Sequence, residues 1–207
     1  MKPKAKRQTD PAIALARREQ ILTAAAECFR RKGYHGAGMA EISKTAGMSA
    51  GHIYNYFESK EAIIESIIEK DMEEMFSIFQ KFEDHPGDVL AALLDGLNIG
   101  VQRHMDTGSC VIDLDMMAEA GRNIKVATLL RETDIQARGR MRQLLTSERS
   151  ALKDIDEREL ESRINVIFSM MAGLLLRKLL YPELTEKTVL IALRPAMKTL
   201  LMPFDKA

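Results

Sequence analysis

The chain has 207 residues, 46% of them hydrophobic and 29% charged, with no tryptophan and a formal net charge of zero. That length is enough to bury a sizeable core in one large or two small domains. The even charge balance excludes a protein that coats nucleic acid through bulk charge alone. The charges are unevenly placed, however: residues 1–60 hold 11 Lys+Arg against 5 Asp+Glu, and the remainder holds 19 against 25. A basic end on an acidic body suits one end meeting phosphate while the other does something else.

Cys28 and Cys110 form no C-x-x-C pair and no disulfide framework, which predicts free thiols in a reducing cytoplasm. The first residues, MKPKAKRQTDP, lack the apolar stretch of a signal peptide. The longest apolar run, VIFSMMAGLLL from Val166 to Leu176, is well short of the ~20 residues that cross a bilayer. The expectation is a soluble, cytoplasmic protein with no membrane partner.

Residues 1–11 read as a basic arm, either simply solvated or touching phosphate or the minor groove. From Ala12 to Lys32, the positions Ile21, Leu22, Ala25, Ala26 and Phe29 make one apolar helical face. Gly33 ends that helix, and Tyr34 is expected to pack back on the core.

Met39–Lys60, MAEISKTAGMSAGHIYNYFESK, is the stretch around which the chain is organised. Ile42 and Ala46 face inward from a short helix; Gly47 leaves it through a left-handed conformation that glycine adopts without a Cβ penalty. Ser49 then caps a second short helix beginning near Ala50, on which Ile53 and Phe57 form an inward i, i+4 pair. Two helices joined this tightly predict a helix-turn-helix whose second helix enters a DNA major groove.

On that second helix Ala50 and Gly51 are small, so its N-terminal N–H groups can approach phosphate closely. His52 and Asn55 are the polar residues placed to meet base edges, and Asn can bond adenine bidentately. Tyr54 and Tyr56 carry hydroxyls suited to phosphate, although Tyr54 suits the core equally. Lys44 and Lys60 are either phosphate contacts or solvated charges, and Ser49 completes the DNA-facing set.

Lys60 opens a long helix reaching about Phe82, longer than a small domain needs, and so expected to link a domain at 12–59 to one at 60–207. His85, Pro86 and Gly87 break it. The rest reads as helices at about Asp88–Met105, Ser109–Gly121, Ile124–Lys153 with a possible break, Glu157–Tyr181 and Thr185–Met202. Pro195 is expected to kink the last of these or to start a new turn within it. Two apolar helices at the C-terminal end, with Ala172 and Gly173 permitting close approach, suggest a dimer interface or packing within one protomer.

These residues resemble the tetracycline-repressor (TetR) family of bacterial regulators. The resemblance is carried by GY at 33–34, MAEI at 39–42, AGMS at 46–49, IYNYF at 53–57 and ESKEA at 58–62, about 50 of the 207 residues. Further along, DMMAEAGRN at 115–123 is similar to a pattern in a subgroup that includes betaine- and glucuronide-responsive regulators. The resemblance implies an all-α homodimer: an N-terminal three-helix helix-turn-helix domain plus a larger helical domain that binds a small-molecule effector and dimerises. It also implies phosphate roles for Tyr56 and Lys60, some contribution from Tyr54, and release of the operator by the effector; a dimer of such heads should favour a palindromic double-stranded operator. The family often has Ser or Thr just before the second helix; here Ala37 and Gly38 supply no side-chain oxygen.

For the effector, Met75, Phe76, Phe79, Met116, Phe168 and Met171 are the apolar pocket candidates; methionine adapts to irregular ligand shapes and equally to ordinary cores. Asp113 lies amid apolar residues with Asp115 and Glu119. A buried carboxylate needs a partner, either a cationic ligand or an arginine such as Arg103 or Arg122. The four histidines make no HExxH or Cys/His metal spacing, and no Gly-rich phosphate loop or G-x-S-x-G is present. No enzyme, metal or cofactor is expected. The rival readings are an activator and a DNA-binding protein that needs no effector.

Overall fold

The computed structural model describes residues 10–204. The expected basic arm at 1–11 lies outside them except for Asp10 and Pro11, which open the first helix. Among the described residues there are ten helices and no strand, and no helix is long and apolar enough to cross a membrane. The chain divides into two compact units, one ending at Glu69 and the other beginning at Lys70.

The first unit starts with α1, Pro11–Gly36. The Asp10 carboxylate accepts the Ala12 N–H at 2.9 Å, and proline at the first helical position lacks an N–H that would otherwise be unpaired. Gly33 breaks the helix at φ 73°, ψ 164°, a conformation open to glycine. Tyr34 then turns back into the core, its ring 5.4 Å from that of Phe29. Ile21, Ala25, Cys28 and Phe29 of α1 are buried, as are Ile42 and Ala46 of α2 (Met39–Ala46) and Ile53 of α3 (Ala50–Ile53). Phe57 and the start of α4 (Lys60–Glu83), with Ile63, Ile64 and Ile68, are buried too. These apolar side chains are what the short α2 and α3 pack on, since elements of such length have no stability alone.

The second unit holds the rest of α4 and six further helices: α5 Val89–Asp95, α6 Leu97–Met105, α7 Thr107–Ala120, α8 Ile124–Leu145, α9 Glu157–Leu180 and α10 Glu186–Leu200. Its core joins Phe79, Val101, Met105, Met141, Leu160, Ile164, Ile167, Leu193 and Met197. α6 packs on α9 and α10, and α7 on α8 and α9. Asp156 caps α9 through Arg158 N–H and Glu159 N–H, and Lys178 closes its other end by donating to the carbonyls of Pro182 and Leu184.

Two helices differ from the sequence reading. The single helix expected over 88–105 is two, parting at Gly96, where the Phe82 ring leaves no room for a side chain: a Cβ there would lie 2.2 Å from a ring carbon. The helix expected to reach Lys153 stops at Leu145, where the Thr146 and Ser147 hydroxyls fold back onto the carbonyls of Arg142 and Leu144. α10 runs through Pro195 without interruption; the carbonyl that proline leaves without an N–H partner belongs to Ile191, which is 73% exposed and so open to water.

Candidate nucleic-acid interface

The junction between α2 and α3 is built by local hydrogen bonds. Gly38 stands at the N-cap of α2 with no side-chain bond, as its lack of a side chain requires. At the other end Gly47 is left-handed (φ 64°, ψ 30°), and Met48 N–H returns to the Ser43 carbonyl at 3.0 Å. The Ser43 hydroxyl donates to the Met48 carbonyl, and Gln20 of α1 donates to the Ala46 carbonyl at 2.7 Å. Ser49 Oγ then accepts the His52 N–H at 3.2 Å and starts α3.

α3 has four α-helical residues and continues as a tighter turn, with Tyr56 N–H on the Ile53 carbonyl at 2.8 Å and Phe57 N–H on the same oxygen at 3.0 Å. Ile53 and Phe57 are buried on one side. Ala50, Gly51, His52 and Asn55 are exposed on the other. Tyr54 is 52% exposed, which removes the core reading for it. Tyr56 is half-buried, its ring 5.4 Å from the His52 ring at an edge-on angle. Lys44 is exposed on the last turn of α2.

Lys60 sits differently from a free surface cation. Its ammonium donates to the Tyr34 carbonyl at 2.7 Å and the Ala37 carbonyl at 3.2 Å, and lies 4.3 Å from the centre of the Tyr34 ring. Two of its three protons are thereby used within the chain. The sequence reading also passed over Arg18, whose guanidinium donates to the Tyr56 carbonyl at 2.9 Å and to Ser66 Oγ at 3.3 Å. The available signal was its spacing: Arg18 stands three and four residues before Ile21 and Leu22, on the same inward face.

Residues 21–67 match the family described as bacterial regulatory proteins, tetR family. Over that segment the chain carries the signature of the TetR family. It is 33% identical over 120 residues to the HTH-type transcriptional regulator UidR of Escherichia coli K12, a segment that is 55% of this chain and 57% of UidR. The chain thus spans just over half the length of that curated relative. Its fold is similar throughout to that of Salmonella enterica GusR (TM-score 0.73, 26% identity, 95% of this chain and 99% of GusR). It is similar in fold also to FadR of Bacillus subtilis in complex with stearoyl-CoA (TM-score 0.69, 19% identity, 88% and 97% of the two chains).

In the second unit the apolar pocket candidates are largely packed. Phe79 and Met116 are buried, and Met75, Phe76, Phe168 and Met171 lie half-buried against the core. Arg140 stacks 4.9 Å above the Phe76 ring. Two open clefts, of about 290 and 460 Å³, have other linings: Glu83, Arg140, Gln143, Leu144, Ser147 and Arg149 for one, and Met105, Lys178 and residues 182–187 for the other.

Asp113 on α7 is the most perturbed carboxyl. Burial, reinforced by the nearby Asp71 and Asp106 charges, raises it to about 6, against the opposing pull of Arg103. Arg103 itself is committed elsewhere: it donates to the Asp71 carboxylate and carbonyl and pairs with Glu74 at 3.5 Å, all on α4. Arg122 pairs with Glu119 at 3.7 Å. Burial lowers His104, whose Nδ1 is 2.8 Å from the Gly100 carbonyl, and raises the Cys110 thiol.

Proposed function

We propose that this chain is a dimeric, ligand-responsive transcriptional regulator, a repressor that binds a palindromic operator and is released from it by a small molecule. The observation that carries the reading is the outer face of α3: His52, Tyr54 and Asn55 are exposed on a short helix whose opposite side, Ile53 and Phe57, is locked in the core. A rigidly backed polar face of this size suits major-groove readout. The DNA-facing set is Lys44, Ser49, Ala50, Gly51, His52, Tyr54, Asn55, Tyr56 and Lys60. The third ammonium proton of Lys60 serves phosphate while the other two hold the Tyr34 and Ala37 carbonyls.

Dimerisation uses α9 and α10. Val166, Leu176 and Leu180 on α9 and Ile191 on α10 leave large apolar surface exposed, reaching 75% at Leu180. The effector site lies in the second unit, among Met75, Phe76, Phe79, Asp113, Met116, Phe168 and Met171. Domain 12–59 reads DNA and 60–207 binds the effector and the partner protomer, in the cytoplasm and without a catalytic step. α4 is one unbroken helix belonging to both units and is the element through which effector binding acts.

The test is selection by the purified full-length chain from a random duplex library. Enrichment of a palindrome with half-site centres about one helical turn (~34–36 Å) or a multiple apart supports the reading. A library that remains random after selection sinks it. A thermal-shift screen against that complex then identifies ligands that raise the melting midpoint and release the duplex.

A further inference from the structure

α3 is too short to hold its own direction: four α-helical residues and one tight turn form no independently stable helix. The N-terminal end is fixed by Ser49, and the inner side by Ile53 and Phe57. The C-terminal end is fixed by a residue of α1. Arg18 Nη1 donates to the Tyr56 carbonyl at 2.9 Å, Nη2 donates to Ser66 Oγ of α4 at 3.3 Å, and the guanidinium lies 4.3 Å from the Phe57 ring centre.

One planar group therefore binds three elements together, using two properties of guanidinium. The fork supplies two donors in fixed directions, and the face stacks on an aromatic ring. A positive charge at a carbonyl that ends a helical turn is favourable as well. A lysine ammonium has neither the fork nor the face. Both Arg18 nitrogens that carry these bonds are turned into the protein, and the residue is half-buried.

We infer that Arg18 is the positioning residue of the recognition helix: by fixing the Tyr56 carbonyl and the Phe57 ring it orients His52 and Asn55 toward base edges, without touching DNA. This rests on the regulator reading above, and it predicts that a residue remote from the duplex controls which bases are preferred.

The experiment uses full-length wild type, Arg18→Lys and Arg18→Met with the duplex that the wild type itself selects. Affinity is measured against salt, and discrimination is measured between that duplex and single-base variants of it. Arg18→Met is expected to weaken binding roughly tenfold, the scale of a lost charge-assisted hydrogen bond. Its log–log salt slope stays that of the wild type and its discrimination falls, with Arg18→Lys in between. A slope shallower by about 0.9 makes Arg18 a phosphate contact and overturns the inference. So does a lower thermal midpoint with affinity and discrimination of the folded fraction intact. If Arg18→Met shows no cooperative unfolding transition, Arg18→Lys decides by the same readouts, and wild-type behaviour there overturns the inference. Failure of the wild type to select any duplex removes the regulator reading, and this inference with it.

Discussion

The ammonium of Lys60 lies 2.7 Å from the carbonyl oxygen of Tyr34 and 4.3 Å from the centre of the same residue's ring. The first residue of α4 thus closes the end of α1, where Gly33 has turned the chain and left carbonyls without helical partners. Lys60→Ala is expected to cost about 1–3 kcal/mol, the range for hydrogen bonds to a charged group. Urea unfolding of the full chain measures it. A loss within experimental error would show that these carbonyls are as well served by water.

Asn55→Ala and Tyr56→Phe are expected to separate two kinds of contact. Asn55 is exposed, on the side of α3 opposite the buried Ile53 and Phe57. Its truncation should weaken binding to the selected duplex and flatten preference at particular base pairs by about 1–3 kcal/mol. Tyr56→Phe should weaken all duplexes alike and shift no base preference. Competition binding against single-base variants distinguishes the two; a base-specific effect of Tyr56→Phe would reverse the assignment.

Asp113 gives the chain a pH-dependent term of known sign. Its carboxyl is raised from 3.8 to about 6 by burial, so the folded chain holds this proton more tightly than the unfolded chain. The resulting penalty is fully present above pH ~6 and fades as pH falls toward ~4. Asp113→Asn should therefore stabilise the protein at pH 8, by at most about 3 kcal/mol, and by roughly half as much at pH 5. His104 acts in the opposite sense, because its lowered pKa costs stability as pH falls. The difference between wild type and Asp113→Asn isolates the carboxyl. A gain that is flat from pH 5 to 8 would contradict this account.

Arg163 on α9 is 2% exposed and anchors the end of the described chain. It pairs with Glu159, donates to the carbonyls of Leu200 at 2.9 Å and Met202 at 2.5 Å, and lies 3.7 Å from the Phe204 ring centre. Arg163→Ala should cost about 2–4 kcal/mol through orphaned carbonyls and lost packing. Arg163→Met, which keeps the stem, should cost less. Equal losses in the two variants, measured by urea unfolding, would assign the effect to the charge alone.

Local chemistry made much of this legible before any coordinates. Gly33, Gly47 and Ser49 break, turn and cap where their side chains dictate, because each acts on its own backbone. The division of 88–105 into α5 and α6 at Gly96 was not legible, and neither was the Phe82 ring that lies beside it from another element. The internal bonds of Lys60 were hidden for the same reason: the acceptors lie 23 and 26 residues earlier in the chain. Arg103 was a reasonable partner for Asp113 by composition, yet the fold gives it to Asp71 and Glu74. Which of several nearby carboxylates wins an arginine is decided by tertiary geometry.

The inward residues Ile42, Ile53 and Phe57 carry the shape of the first unit, whereas His52, Tyr54 and Asn55 are exposed beside them. Substitution at the exposed positions is therefore expected to leave the buried core intact, with the His52–Tyr56 ring contact the one packing interaction described among them. On the regulator reading proposed above, substitution there is expected to write a new base preference with little change in melting temperature, so that retargeting becomes a problem of recognition alone.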